Sequence, residues 1–171
     1  MADFNIAYPL TAKHEGGYVN DPTDRGGETY AGITRKNYPK WAGWAIIDLM
    51  QPLRTNEILP QLADEVKEFY RVMYWNKQSL SGLKSQKVAN TIYDWNINSG
   101  SIAIKAIQRL VNVADDGNIG EATLKAINAA GEALLSKYID ERIAFYKRIV
   151  EKDPSQAKFL KGWVNRAKSF A

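Results

Sequence analysis

Apolar residues recur at the spacing of an α-helix along most of this chain, and one segment, residues 15–34, carries no such period. That contrast constrains the fold most, because amphipathic helices must bury their apolar faces together and the odd segment has to fit among them. Leu62, Val66, Phe69, Tyr70 and Met73 predict a helix between Gln61 and Trp75, with Pro60 where a first-turn proline is tolerated. Val88, Ile92 and Trp95 predict another, capped by Ser85 and ended near Gly100. A third starts at Ser101 with Ile104, Ile107 and Val111 inward. Leu134, Leu135, Tyr138, Ile139, Arg142, Ile143, Tyr146 and Ile149 predict a long helix whose buried face has Arg142 as its one charged member. Asp153-Pro154 opens a last helix carrying Phe159, Leu160, Trp163 and Val164. Phe4, Ile6, Ala7, Leu10 and Ala12 allow a first helix from near Asp3 toward Lys13.

The composition removes several chemistries. With 171 residues the chain fits one domain, or one domain of two lobes. It has no cysteine, which excludes disulfides, thiol catalysis and cysteine-ligated zinc. His14 is the only histidine, which argues against a multi-histidine metal site or a serine–histidine triad. Proton transfer then falls to carboxylates, and no metal or organic cofactor is expected. The formal charge of +4 comes from scattered residues rather than a dense basic stripe, so nucleic acid is not an expected partner. Such a charge suits an anionic polymer. Met1-Ala2-Asp3-Phe4 has no basic flank before an apolar run, and the longest nearly apolar stretch, Trp41 to Met50, is too short to span a bilayer. The expectation is a soluble protein made in the cytoplasm without a signal peptide and without membrane insertion.

Residues 15–34 hold five glycines, at 16, 17, 26, 27 and 32, and read as a loop or short hairpin after the first helix. Gly16-Gly17 would stop that helix in the left-handed conformation and leave Glu15 in its last turn. The negative helix end disfavours the ionised form of Glu15, and partial burial acts in the same direction. A carboxylic acid kept protonated near neutral pH can protonate a leaving glycosidic oxygen. A solvated glutamate beside a simple glycine turn is the plainer alternative.

The run Glu15-Gly16-Gly17-Tyr18, Asn20-Asp21-Pro22, Asp24, Gly26-Gly27-Glu28-Thr29 and Gly32-Ile33-Thr34 closely resembles the signature of glycoside hydrolase family 108. These are N-acetylmuramidases, bacterial and prophage lysozymes also described as secretion activator proteins. Downstream, Tyr74-Trp75, Tyr93-Asp94, Asn98, Gly100, Gln108-Arg109-Leu110, Asp116-Gly117, Ile119-Gly120 and Thr123 resemble the rest of that family, including its predicted peptidoglycan-binding region, as do Arg142 and Gly162-Trp163-Val164-Asn165-Arg166. The resemblance implies a mainly helical, lysozyme-like fold with Glu15 as catalytic acid. It divides the chain into a catalytic segment, 1–80, and a helical peptidoglycan-binding region, 81–171, packed into one compact unit.

The loop also resembles phage-type lysozymes, in which an aspartate follows the glutamate after eight residues and a threonine comes soon after. Eight residues separate Glu15 from Asp24 here and four separate Asp24 from Thr29, which sets the threonine one residue nearer than in that pattern. In this reading Asp24 orients water or stabilises charge on the sugar ring, and Thr29 holds the water. Asp21 competes with Asp24 for that role, and either aspartate could instead pin the loop through an Asx turn. Tyr18, Tyr30, Trp41 and Tyr93 are candidates to stack on sugar faces, with core packing as their alternative. Trp95 reads as core. Asp94 and Asn98 lie near a helix end within reach of a cleft, and Asn98 is the better substrate-binding candidate because an amide pairs with both hydroxyl and acetamido groups. Asp115-Asp116-Gly117-Asn118 lacks the alternating ligands and closing glutamate of a calcium loop and reads as a structural turn.

The expected activity is hydrolysis of peptidoglycan between N-acetylmuramic acid and N-acetylglucosamine, on a cell wall reached through a phage or host release system. A lytic transglycosylase, and a non-catalytic wall-binding or secretion-accessory protein, are the alternatives.

Overall fold

The helical period is realised nearly element by element. The computed structural model describes residues 1–12, 16–20 and 27–171. Helix α1 (Phe4–Ala12) precedes three two-residue strands, β1 (Tyr18–Val19), β2 (Thr29–Tyr30) and β3 (Ile33–Thr34). Then follow α2 (Gly43–Met50), α3 (Ala63–Tyr70), α4 (Gln86–Ser99), α5 (Ser101–Leu110), α6 (Glu121–Ala130), α7 (Leu135–Lys152) and α8 (Ala157–Lys168). Among the described residues no helix is long and apolar enough to cross a membrane. The fold class is the expected one: mainly α and lysozyme-like, with a short β-meander where a loop or hairpin was predicted after the first helix.

The chain divides into two compact units, Tyr8–Met73 and Met1–Ala7 with Tyr74–Ala171. The first holds the predicted 61–75 helix up to Met73, and that helix is three pieces. A 3₁₀ turn at Pro60–Leu62 leads into α3, and Arg71–Asn76 widens into a π-helical turn. Pro60 opens the 3₁₀ turn, where a missing N–H costs nothing. Ile33, Ile47 and Leu62 are fully buried in this unit, and Trp41 meets Trp44 edge-on at 5.2 Å.

The second unit is organised around α4. Every residue from Val88 to Asn96 is buried, so this helix has no solvent face along that stretch, although only one apolar stripe was predicted. Ser85 caps it by accepting from the Val88 N–H, and Gly100, at φ 57°, closes it and opens α5. The polar residues that burial traps must find partners. Gln86 Nε2 donates to Asn90 Oδ1 at 2.7 Å, and Thr91 Oγ1 donates to the Lys87 carbonyl at 2.8 Å. Asp94 accepts from Arg142 of α7 and from Arg166 of α8, each at 2.7 Å. Arg142 Nε also donates to Tyr146 Oη at 2.8 Å. Asp94 is thus a fully buried structural anion and not the cleft residue considered from the sequence. The charged member of the α7 face is explained by the same contact.

Two buried glutamines hold the turn after α5. Gln108 Oε1 accepts from the Gly117 N–H, and its amide donates to Asp116 Oδ1 and the Asn118 carbonyl. Gln78 Oε1 accepts from the Ile119 N–H. Gly117 sits at φ 84°, a conformation that resists any side chain. The Asp116 carboxyl, held below its ordinary range chiefly by the Gln108 amide, also closes an Asx turn on Asn118. Asp116 is thereby built into the turn.

Removing one partner of a buried ion pair strands the other charge, at a cost of about 3–5 kcal/mol. Asp94→Asn is expected to lower unfolding free energy by that amount in urea titrations. Arg166→Met should cost less, because that arginine keeps 18% of its side chain in solvent and leaves the Asp94–Arg142 pair intact.

Candidate active site

The meander frames the motif. Residues 13–15 and 21–26, and with them Glu15, Asp21 and Asp24, lie outside the described residues. The residues that flank them are described. Tyr18 pairs with Tyr30 and Val19 with Thr29, while Thr29 pairs with Thr34 and Tyr30 with Ile33. Ala31 and Gly32, at φ 46° and 77°, form the two-residue turn between β2 and β3, with positive φ at both positions as a type I′ turn requires. Tyr70 Oη donates to the Ala31 carbonyl at 2.7 Å and ties this turn to α3.

On its other side β1 bonds to the 54–57 loop: the Tyr18 N–H donates to the Glu57 carbonyl and the Asn56 N–H to the Tyr18 carbonyl. This contact explains Gly17. A Cβ there would overlap the Asn56 and Glu57 carbonyls, whereas among the described residues a Cβ at Gly16 would meet nothing closer than Asn56 Oδ1 at 3.8 Å. Gly17 does not adopt positive φ. The predicted left-handed helix stop is therefore corrected at Gly17, where close backbone approach, not handedness, demands glycine.

A polar chain braces the same frame. Tyr18, 5% exposed, donates its hydroxyl to Glu28 Oε1 at 3.0 Å and accepts from Gln51 Nε2 at 3.0 Å. Glu28 Oε2 lies 2.5 Å from Arg35 Nε, and Arg35 forks onto both oxygens of Asp48 from α2. The guanidinium also lies over the Trp44 ring at 4.6 Å. The two-pronged bond from Arg35 holds the Asp48 carboxyl below the ordinary range. Glu28 and Arg35 were not singled out from the sequence. The signal available was Glu28's place inside Gly26-Gly27-Glu28-Thr29.

The candidates fall in different places. Thr29 is half-buried in β2 and donates Oγ1 to the Gly27 carbonyl at 3.1 Å, which leaves its oxygen free to accept. Tyr30 is 3% exposed; its hydroxyl donates to the Leu59 carbonyl and accepts from the Leu59 N–H, and its ring stacks on Trp41 at 6.2 Å. Tyr93, in the other unit, is fully buried against Phe4 and Trp75. Burial puts the Tyr30 and Tyr93 rings into the core rather than toward a sugar, and Tyr18 serves as a brace. Of the aromatic candidates, Trp41 lines an open recess of about 340 Å³ with Tyr38, Pro39, Lys40, Phe69 and Met73. Asn98 is exposed at the end of α4, its amide donating to the Asp94 carbonyl at 2.6 Å.

Comparison with known proteins gives three findings. Residues 8–100 match the family model described as glycosyl hydrolase 108, and residues 102–168 match the one described as a predicted peptidoglycan domain. The solved structure of Brucella abortus SagA superimposes with a TM-score of 0.73 at 30% identity, covering 98% of this chain and 90% of that one. No curated protein matches by sequence.

The close approach at Gly17 separates two adjacent glycines. Gly17→Ala should destabilise by about 1–3 kcal/mol, since the overlapping atoms are backbone and have little room to move. Gly16→Ala should melt within about 1 kcal/mol of the parent. Equal losses in calorimetry would contradict the assignment of the strain to the 54–57 loop.

Proposed function

The chain belongs to the glycosyl hydrolase 108 family, and we propose that it is an N-acetylmuramidase in which Glu15 is the general acid. At the coarser level it is a glycoside hydrolase directed at peptidoglycan. The proposal concerns the bond, N-acetylmuramic acid to N-acetylglucosamine, and the residues that break it. What carries it is the bracing around the motif. Tyr18, three residues after Glu15, is hydrogen-bonded to the 54–57 loop, while Glu28, just after the 21–26 segment, is held by Tyr18 and Arg35, and Thr29 pairs with Val19. Catalytic groups require such rigid support, because small misplacements cost orders of magnitude in rate.

In this mechanism Glu15 donates its proton to the glycosidic oxygen as the bond to the muramic C1 breaks. Asp24 stabilises the positive charge that develops on the ring or orients the incoming water, with Asp21 as its competitor. Thr29 accepts a hydrogen bond from that water through the oxygen that its donation to Gly27 leaves available. Water bonds to C1 through its oxygen, and the proton that it sheds returns to the Glu15 carboxylate, directly or through solvent, which restores the acid. Residues 1–80 act as the catalytic segment and 81–171 as the wall-binding region. The protein is made in the cytoplasm and reaches the wall through a phage or host release system, in an endolysin or secretion-activating role.

General acid catalysis contributes on the order of 10²–10⁴-fold. Glu15→Gln should fold, bind cell walls and lose lytic turnover by that factor. Activity within a few-fold of the parent would remove Glu15 from the mechanism. Parent digests should release new reducing ends; anhydro-muramic products would instead mark a transglycosylase, and no release with retained wall binding an accessory protein. Asp24→Asn should reduce turnover more than Asp21→Asn does, and the reverse order would reassign the second carboxylate.

A further inference from the structure

We propose that the second unit carries its own glycan subsite, a recess at the corner between α4 and α5 that takes a neutral N-acetylated sugar of the wall strand. It rests on the reading of the chain as a peptidoglycan hydrolase but not on Glu15. The recess has a volume of about 360 Å³ and is lined by Asn98, Ser99 and Ile102 of the corner, Phe145, Tyr146 and Ile149 of α7, and Trp163 of α8. That size lies at the lower end for small-ligand pockets and fits one sugar ring with its acetamido group.

Three properties of the lining select the ligand. First, none of these seven side chains is charged. Peptidoglycan offers a glycan strand and a peptide stem, and the stem brings carboxylates that would find no cation here to offset their desolvation. N-acetylglucosamine is neutral. Second, Asn98 retains hydrogen-bonding capacity. Asn98 spends its amide N–H on the Asp94 carbonyl, which fixes the orientation of the side chain and leaves Oδ1 to accept from an acetamido N–H or a hydroxyl. The Tyr146 hydroxyl accepts from the buried Arg142 Nε, which fixes that ring as part of the recess wall. Third, the apolar part is aromatic and preformed. Trp163 packs on Tyr146 at 5.4 Å and on Phe159 at 5.8 Å, and Ile102 keeps 43% of its surface in solvent on the rim. Aromatic rings matched to the C–H faces of sugars, with a few amide and hydroxyl groups to fix orientation, make a carbohydrate site.

The support is built into the unit. Asn98 stands one turn beyond Asp94 on α4, and Tyr146 one turn beyond Arg142 on α7, so the buried ion pair sets the register of both recess walls. The subsite is consequently stiff, and sugar binding needs no ordering of side chains at that point.

The test titrates the full-length Glu15→Gln chain with chitotetraose, a neutral N-acetylglucosamine oligomer, while following tryptophan indole N–H resonances assigned through Trp163→Phe. The Trp163 signal is expected to move saturably, and Asn98→Ala and Ile102→Asp should each weaken the constant read from it about tenfold. A synthetic stem peptide should leave the signal in place. A Trp163 signal that stays fixed while other indoles respond would overturn the subsite. Movement by the stem peptide rather than the sugar would overturn the ligand assignment. Failure of the muramidase reading appears separately, as the absence of reducing ends from the Glu15-containing parent.

Discussion

Three charges hold the second unit together. Asp94 lies on a helix buried around its whole circumference, where an unpaired carboxylate could not be tolerated, and Arg142 and Arg166 bring α7 and α8 onto it. A buried ion pair seldom stabilises more than a well-packed apolar substitute would. What it supplies here is register: two oxygens, two guanidinium groups and the Tyr146 hydroxyl admit few alternative slides of three helices past one another. The apolar contacts that close this region, Ile139, Tyr146 and Ala167 with Ile143, Leu160 and Trp163 around them, would permit more than one.

The first unit solves a different problem with similar means. Three two-residue strands are too short to be stable alone. They are held by contacts from outside the sheet: Tyr70 on the Ala31 carbonyl, Tyr30 on Leu59, and the 54–57 backbone against Gly17 and Tyr18. Glu28 and Arg35 then link β1 to α2 through Tyr18 and Asp48. The described flanks of the glycine-rich motif, 16–20 and 27–34, are thus restricted by their neighbours.

A hydrolase of an insoluble polymer has to stay on the strand as well as cut it. The family match splits at residues 100 and 102, the corner where Gly100 joins α4 to α5 and where Asn98, Ser99 and Ile102 line the uncharged recess. A neutral recess distinguishes sugar from stem, while the scattered positive charge of the chain favours the anionic polymer as a whole. The two effects operate at different ranges and do not compete.

Helix positions were legible in the sequence because periodicity and capping are local. Ser85, Pro60, Gly100 and Asp153 each stand at the helix boundary where the residue order places them. The family signature was legible too. Partners distant in sequence were not legible. Arg142 stood out as a charge on an apolar face, but Asp94, 48 residues away, could be identified as its counter-ion only once the helices met. Tyr18, Tyr30 and Tyr93 had the composition of sugar platforms, yet burial by remote elements made one a brace and two core residues. Gly16-Gly17 was read as a left-handed helix stop, when the reason for glycine at Gly17 is a backbone segment some forty residues further along the chain. The sequence by itself determined the mainly helical class, most helix boundaries and the family signature, because these depend on neighbours within a few positions. Tertiary structure alone decided which polar residues are spent inside the fold and which face outward, because desolvation and hydrogen-bond pairing depend on what packs against each side chain.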